Sequence, residues 1–197
     1  MKLKLNWLKT VVAVLVALPL LAAGAFLHYY LPSTDLIYVT GTETIRVNAD
    51  GNTRFTTGPT RDLRLVYAER VNGGTARAFR NEDTGWGWPP YFKFNSGDIA
   101  AQATTLAQQR LHTEGQEEAR PTVLATYYGW RLHLFSMYPN LVSLRVVEPG
   151  YTHIPVFNIV LLTLLALGIG WVTYRIRRWL RHRSAARLAE TRGSGTS

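Results

Sequence analysis

"NSGDIAAQATTLAQQRLH", residues 95–112, decides how the middle of this chain folds. Asn95 or Ser96 can cap a helix here, and Asp98 in the first turn complements the positive end of the helix dipole. Ile99, Ala103, Leu106 and Ala107 recur at helical spacing, so one stripe is apolar and the remaining face is polar. A single amphipathic helix of this kind covers a sheet or the opening of a barrel.

The segments on either side read as strands. Upstream, "STDLIYVTGTETIRVN" (33–48) is rich in β-branched and aromatic residues and runs into the turn signal Asp50-Gly51-Asn52. "RDLRLVYAERV" (61–71) alternates, with Leu63, Leu65 and Tyr67 on one face and Asp62 and Arg64 on the other. Asn72-Gly73-Gly74 accepts the positive φ of a tight hairpin and leads into "TARAFR" (75–80). Downstream of the polar "EGQEEAR", the stretches "PTVLATYY" and "NLVSLRVVE" predict two more strands, with Val142, Leu144 and Val146 sharing a face. Three strands, a helix and two strands form an α+β domain. That order fits a five-stranded OB-like barrel with its helix between the third and fourth strands. A small α+β sandwich gives the same string.

Two apolar runs bracket this domain. "VVAVLVALPLLAAGAFLHYYL" (11–31) and "IPVFNIVLLTLLALGIGWVTY" (154–174) contain no Asp, Glu, Lys or Arg, and each is 21 residues long. As helices they match the thickness of a bilayer's hydrocarbon core. Aromatic residues lie near their edges, as in membrane-interface belts. Lys2, Lys4 and Lys9 precede the first run, and seven arginines follow the second against the single acid Glu190. The positive-inside rule then sets both termini in the cytoplasm and the domain outside. The expected organisation is a basic N-terminus (1–10), a first transmembrane helix acting as signal anchor (11–31), an exported domain (32–153), a second transmembrane helix (154–174) and a basic cytoplasmic tail (175–197). The first run also carries Ala23-Gly24-Ala25, an A-x-A cleavage pattern. The apolar character continues past it through Leu31, which favours retention as an anchor.

The net charge of +9 resides at the two ends, because residues 32–153 hold twelve basic and twelve acidic side chains. A neutral central domain gives no electrostatic footprint for nucleic acid. Within the tail, Arg175, Arg177, Arg178, Arg181 and Arg183 are expected to face anionic lipid. The chain has no cysteine, which removes disulfides, thiolate metal sites and cysteine nucleophiles from consideration.

Chemistry-bearing residues concentrate in two aromatic patches. In "RNEDTGWGWPPYFKF" (80–94), Trp86, Trp88, Tyr91, Phe92 and Phe94 bring more apolar area than a connection needs, and Gly85 and Gly87 permit turns. Arg80, Asn81, Glu82 and Asp83 would form its polar rim. In "TYYGWRLHLFSMYPN" (126–140), Tyr127, Tyr128, Trp130, Phe135 and Tyr138 repeat the composition, with Arg131 available for an anionic group or for Glu82 or Asp83. The patches can join as one surface that binds a partner. Alternatively, their rings plug the barrel end or rest on the membrane interface.

Enzyme templates find no match. Glu82 and Asp83 are adjacent, so extended backbone points them in opposite directions, a poor acid/base arrangement. The histidines at 28, 112, 133, 153 and 182 lack HxxxH or HExxH spacing, and no phosphate-binding glycine loop or nucleophile elbow occurs. No metal and no cofactor is implied.

The stretches "RNEDTGWGWPPYFKFNS", "YYGWRLHLFSMYPNLVSLR" and "GYTHIPVFNIVLLTLLA" resemble an uncharacterised family of bacterial two-span membrane proteins, classed as a domain of unknown function. The resemblance covers about residues 10–174. It implies a Gram-negative inner-membrane setting with the domain in the periplasm, and it brings no activity or catalytic residue. The expectation is therefore a non-enzymatic periplasmic domain that binds another envelope or membrane protein through residues 84–94 and 127–138. The alternative is a receptor that stacks a glycan or other small ligand on Trp86 and Trp88.

Overall fold

The computed structural model describes residues 2–48, 60–112 and 120–193. The turn signal at Asp50-Gly51-Asn52, the acidic segment 114–119 and the last four residues lie outside these. The elements in chain order are α1 (Lys2–Tyr30), β1 (Ser33–Asn48), β2 (Thr60–Arg70), β3 (Ala76–Arg80), α2 (Ser96–His112), β4 (Thr122–Tyr128), β5 (Asn140–Val147) and α3 (Val156–Gly193). The chain divides into two compact units, Met1–His153 and Ile154–Ser197.

The five strands close into a barrel in the order β1-β2-β3-β5-β4. This is the OB-like alternative of the sequence reading. β1 closes the cylinder: residues 33–37 pair with β4, while residues 37–48 pair with β2. A bulge between Val39 and Gly41 lets this long strand bend from one partner to the other. β3 meets β5 in parallel at Arg80 and Asn140, and every other pairing is antiparallel.

Ile37, Val39, Val66, Ala68, Phe79, Val123, Ala125, Tyr127, Leu141 and Leu144 fill the interior. Ile99, Ala103 and Leu106 of α2 join them, so the helix caps the core with the stripe its spacing predicts. Each of the valines, leucines, isoleucines and the phenylalanine among them contributes roughly 1.5–3 kcal/mol by leaving water. Without disulfides, this burial carries the domain.

One strand departs from the expected alternation. Leu141 and Leu144 are buried on β5, whereas Val146 is exposed. Leu141 lies opposite Tyr127 and Leu144 opposite Ala125, with a register shift between. Val142 is the extra residue and leaves the face that Leu144 and Val146 share opposite Ala125 and Val123, and Val146 is exposed near the end of the strand.

A second, smaller cluster covers the outer face of β2. Leu63 and Leu65 are buried there by Ile45, Tyr67 and Tyr138. In OB-type barrels the strand 2–3 face takes ligands; here the chain's own Tyr138 lies on it. Near the start of β1, the Asp35 carboxylate accepts three hydrogen bonds from Arg70, pairs with Arg77 and accepts the Tyr127 hydroxyl hydrogen bond. That network closes the core with satisfied charges. Asp35 holds the Arg70 pKa up, and burial followed by Asp35 raises that of Tyr127.

α1 and α3 are each long and apolar enough to cross a membrane, over Ala13–Tyr30 and Val156–Trp179. α3 continues unbroken through the arginine-rich segment, where Arg175 sits over the Trp171 ring. Arg175, Arg177, Arg178 and Arg181 are exposed on it, while the Arg183 side chain lies outside the described residues.

Candidate functional site

Two loops and the end of α1 build one aromatic collar. The connection from α1 to β1 is two residues long, so Tyr29 and Tyr30 are placed directly against the barrel. The last carbonyls of a helix lack intrahelical donors. Here the Gly129 N–H donates to the Tyr29 carbonyl at 2.8 Å, and the Tyr91 hydroxyl donates to the Tyr30 carbonyl at 2.6 Å. Gly129 has φ +95°, a left-handed conformation open to glycine, and this aims its N–H at the helix.

The two patches of the sequence meet at this point. Tyr91 stacks on Tyr128 with centroids 4.8 Å apart and planes 11° apart. Tyr30 lies between Tyr128 and Trp88. Trp88 also stacks on Phe26, one turn further back in α1. From the other loop, Trp130 meets Tyr29 edge-on and donates its indole N–H to His28 Nδ1 at 2.7 Å. Burial raises the pKa values of Tyr91 and Tyr128, so both phenols stay neutral near neutral pH; Tyr91 donates to the Tyr30 carbonyl and Tyr128 accepts from the Asn140 amide.

Beneath the collar lies a polar lattice that fixes the first loop. Asn140 accepts the Glu82 N–H and donates to the Glu82 carbonyl, and its amide also reaches the Tyr128 hydroxyl. Asp83 accepts from the Ser96 N–H at 2.9 Å and from the Ser96 hydroxyl at 2.7 Å. It therefore caps α2 from outside the helix, a role that the sequence reading gives to Asn95 or Ser96. Asn81 donates to the Ser96 carbonyl and accepts from Lys93 Nζ, which donates to the Leu141 carbonyl as well. Burial lowers the Lys93 pKa to about 8, against the raising influence of Asp83 and Glu82.

These contacts revise the site read from sequence. Asn81, Tyr127 and Tyr128 are buried and present no face to a partner. Arg80 and Glu82 pair with each other at 3.3 Å, and Asp83 is committed to the helix cap, so none of the three forms a free rim. Arg131 reaches neither Glu82 nor Asp83; it donates to the Met137 carbonyl and lies 4.0 Å over the Tyr138 ring. Tyr138 is spent on β2, and Tyr91 and Trp130 on α1. Of the twelve candidate binding residues, Trp86 and Trp88 stay largely exposed as large apolar side chains.

Other exposed apolar residues complete the picture. Phe92 and Phe94 flank Trp86 with ring centroids 5.7 and 5.3 Å away. In the second loop, Leu132 and Met137 pair as an isolated bridge, and Leu134 and Phe135 project from the tip at 88% and 68% exposure. Alternation in "FKF" places Phe92 and Phe94 opposite Lys93, a signal available in the sequence. No local signal marks Leu134, because a four-residue tip has no periodicity to read.

No group of three or more His, Cys, Asp or Glu is arranged to hold a metal among the described residues. A cleft of about 220 Å³ between α2 and the β1–β2 pair is lined by Thr42, Glu43, Arg64 and Asn81 among others, away from the tryptophans.

A family model described as "Protein of unknown function (DUF1523)" matches residues 7–180. The chain belongs to that family. An uncharacterised protein of Haemophilus influenzae is 34% identical over 128 residues, which are 64% of this chain and 67% of that protein. No solved structure matches the chain. The match takes in α1 from Trp7 onward, the whole barrel and the apolar part of α3, so the collar lies within the portion that defines the family.

Proposed function

We propose that this family member is a non-enzymatic, two-span inner-membrane protein whose periplasmic barrel docks another protein of the same membrane. The observation that carries the reading is the hairpin 131–138. Its base is tied by the Leu132–Met137 pair, by Arg131 on the Met137 carbonyl and by Arg131 over Tyr138. Its tip holds Leu134 and Phe135 in water. A preorganised loop with two unpartnered apolar side chains loses little freedom on binding, as binding anchors require. It is also the loop between strands 4 and 5, where OB-type barrels take ligands. Arg131 and His133 flank the tip and suit the polar rim of a protein interface.

Retention of α1 as an anchor rests on the apolar run that continues past Ala25 through Leu31; the collar residues Phe26, His28, Tyr29 and Tyr30 all follow Ala25. The glycan alternative loses support, because Trp88 already stacks on Phe26 and Tyr30.

The test is site-specific photocrosslinking from Leu134 in living cells, with the same crosslinker at Thr105 of α2 as reference. One discrete adduct from Leu134, absent from Thr105 and lost on Phe135→Ser, is the expected result. Equal adduct patterns from the two positions would falsify the docking role.

A further inference from the structure

The loop Thr84–Phe94 is built inside out for a surface in water. Its one charged side chain, Lys93, is 4% exposed, while its sequence neighbours Phe92 and Phe94 are 54% and 56% exposed and Trp86 is 84% exposed. Exposed large apolar groups beside a buried lysine are the informative departure from ordinary surface composition.

The arrangement is enforced. Gly85 donates its N–H to the Lys93 carbonyl, and the Lys93 N–H donates to Thr84 Oγ1, closing the loop on itself. Phe92 has φ +48°, a left-handed conformation that is uncommon and unfavourable for a bulky residue. That conformation sits beside the inward turn of Lys93, whose Nζ is held at 2.6 Å by both Asn81 Oδ1 and the Leu141 carbonyl. The fold thus accepts backbone strain where its loop turns three aromatic rings outward.

The position of the loop indicates what covers those rings. Trp88 stacks on Phe26 with centroids 5.8 Å apart, and Phe26 belongs to the apolar window Ala13–Tyr30. Four residues of helix separate Phe26 from Tyr30, so the loop reaches about 6 Å back along α1 from its end. Trp86 stands two residues from Trp88 in the same loop and packs against Phe92 and Phe94. From Thr84 to Phe94 the loop shows no charge outward, as insertion between lipid headgroups requires. Tryptophan and phenylalanine are the residues enriched where apolar chain meets headgroup.

We propose that Trp86, Phe92 and Phe94 insert into the outer leaflet beside α1, so that the barrel rests on the lipid surface as well as being tethered to it. This rests on the reading of α1 as a membrane span. The chain contains no cysteine, so single labels can be introduced without background. Phe92→Cys, Phe94→Cys, Thr105→Cys and Leu20→Cys variants of the full chain would carry a nitroxide in nanodiscs of phosphatidylethanolamine and phosphatidylglycerol. The expected result is that labels at 92 and 94 lose accessibility to a water-soluble nickel chelate and gain accessibility to oxygen, while the label at 105 shows the reverse. A label at 92 as open to nickel as that at 105, with the label at 20 protected, overturns the inference and leaves the span intact. Nickel access at 20 overturns the span reading and the insertion with it. Protection at 92 in native membranes but not in lipid nanodiscs assigns the rim to a protein partner and overturns the lipid assignment.

Discussion

The two aromatic loops share a composition and have opposite fates. Loop 129–139 turns the rings at its base inward, with Trp130 on His28 and Tyr29 and Tyr138 on the outer face of β2, and sends out only Phe135 at its tip. Loop 81–95 does the reverse at its centre, sending Trp86, Phe92 and Phe94 out and Lys93 in. The difference comes from what each backbone must satisfy. The first residue of loop 129–139 caps α1, so the chain is drawn onto that helix and its rings follow. Loop 81–95 is pinned at its start by Asn140, at Trp88 and Tyr91 by α1, and at its end by the cap of α2, which leaves Trp86, Phe92 and Phe94 to project between those points. Aromatic density alone therefore does not distinguish packing from presentation; the hydrogen bonds that anchor each loop do.

The largest effect should come from the lattice that sets the loops apart. Asn140→Ala removes both bonds to Glu82 and the bond to Tyr128, and should lower stability by about 3 kcal/mol, read by thermal unfolding of the detergent-solubilised protein. A loss no greater than that of a surface substitution would show that the lattice does not anchor loop 81–95. Next, Trp130→Ala should cost about 2 kcal/mol in the same measurement, because it strips an indole from α1 together with its hydrogen bond to His28.

Lys93 yields a pH dependence of defined sign. Its pKa falls from the ordinary 10.5 to about 8 on folding, so between about pH 8 and 10 the unfolded chain holds more protons than the folded one. Stability should rise with pH across that window, by at most about 1.4 kcal/mol per unit. Tyr67, pushed up to about 12 by its bond to Glu43, and Tyr91, Tyr127 and Tyr128, raised mainly by burial, oppose the trend as the pH approaches and passes 10. Lys93→Met should flatten the rise; an unchanged slope would assign it to another group.

Asp83→Ala should cost about 1 kcal/mol as a lost helix cap, with the first turn of α2 exchanging amide hydrogens faster. The smallest effect is expected for Trp86→Ala, within about 0.5 kcal/mol in detergent, because that ring supports no buried structure. Trp86→Ala costing as much as Trp130→Ala would erase the distinction between the loops.

Much of the fold was legible from local pattern. The stripe Ile99, Ala103, Leu106 names the buried face of α2, and Leu63 and Leu65 name the outer face of β2. β5 resisted because one bulge residue reverses its alternation, and composition does not announce a bulge. The candidate site was legible as a region but not as a set of exposed residues. Tyr127 and Trp86 belong to similar aromatic stretches, yet one hydrogen-bonds Asp35 inside the barrel and the other stands in the open. Barrel closure and the return of α1 against both loops decide between them. Those are contacts across many tens of residues, invisible to a local window.

The capped carbonyls of Tyr29 and Tyr30 have a mechanical consequence. A helix that ends in a slack linker can twist or tilt without telling the domain beyond it. Here the joint is Leu31-Pro32 alone, and two donors from separate loops grip the last turn. A rotation of α1 about its axis would drag Gly129 and Tyr91 in the same sense, and through them the bases of both loops. Helix and barrel form a stiff lever, whose far arm is the hairpin tip at Leu134 and Phe135.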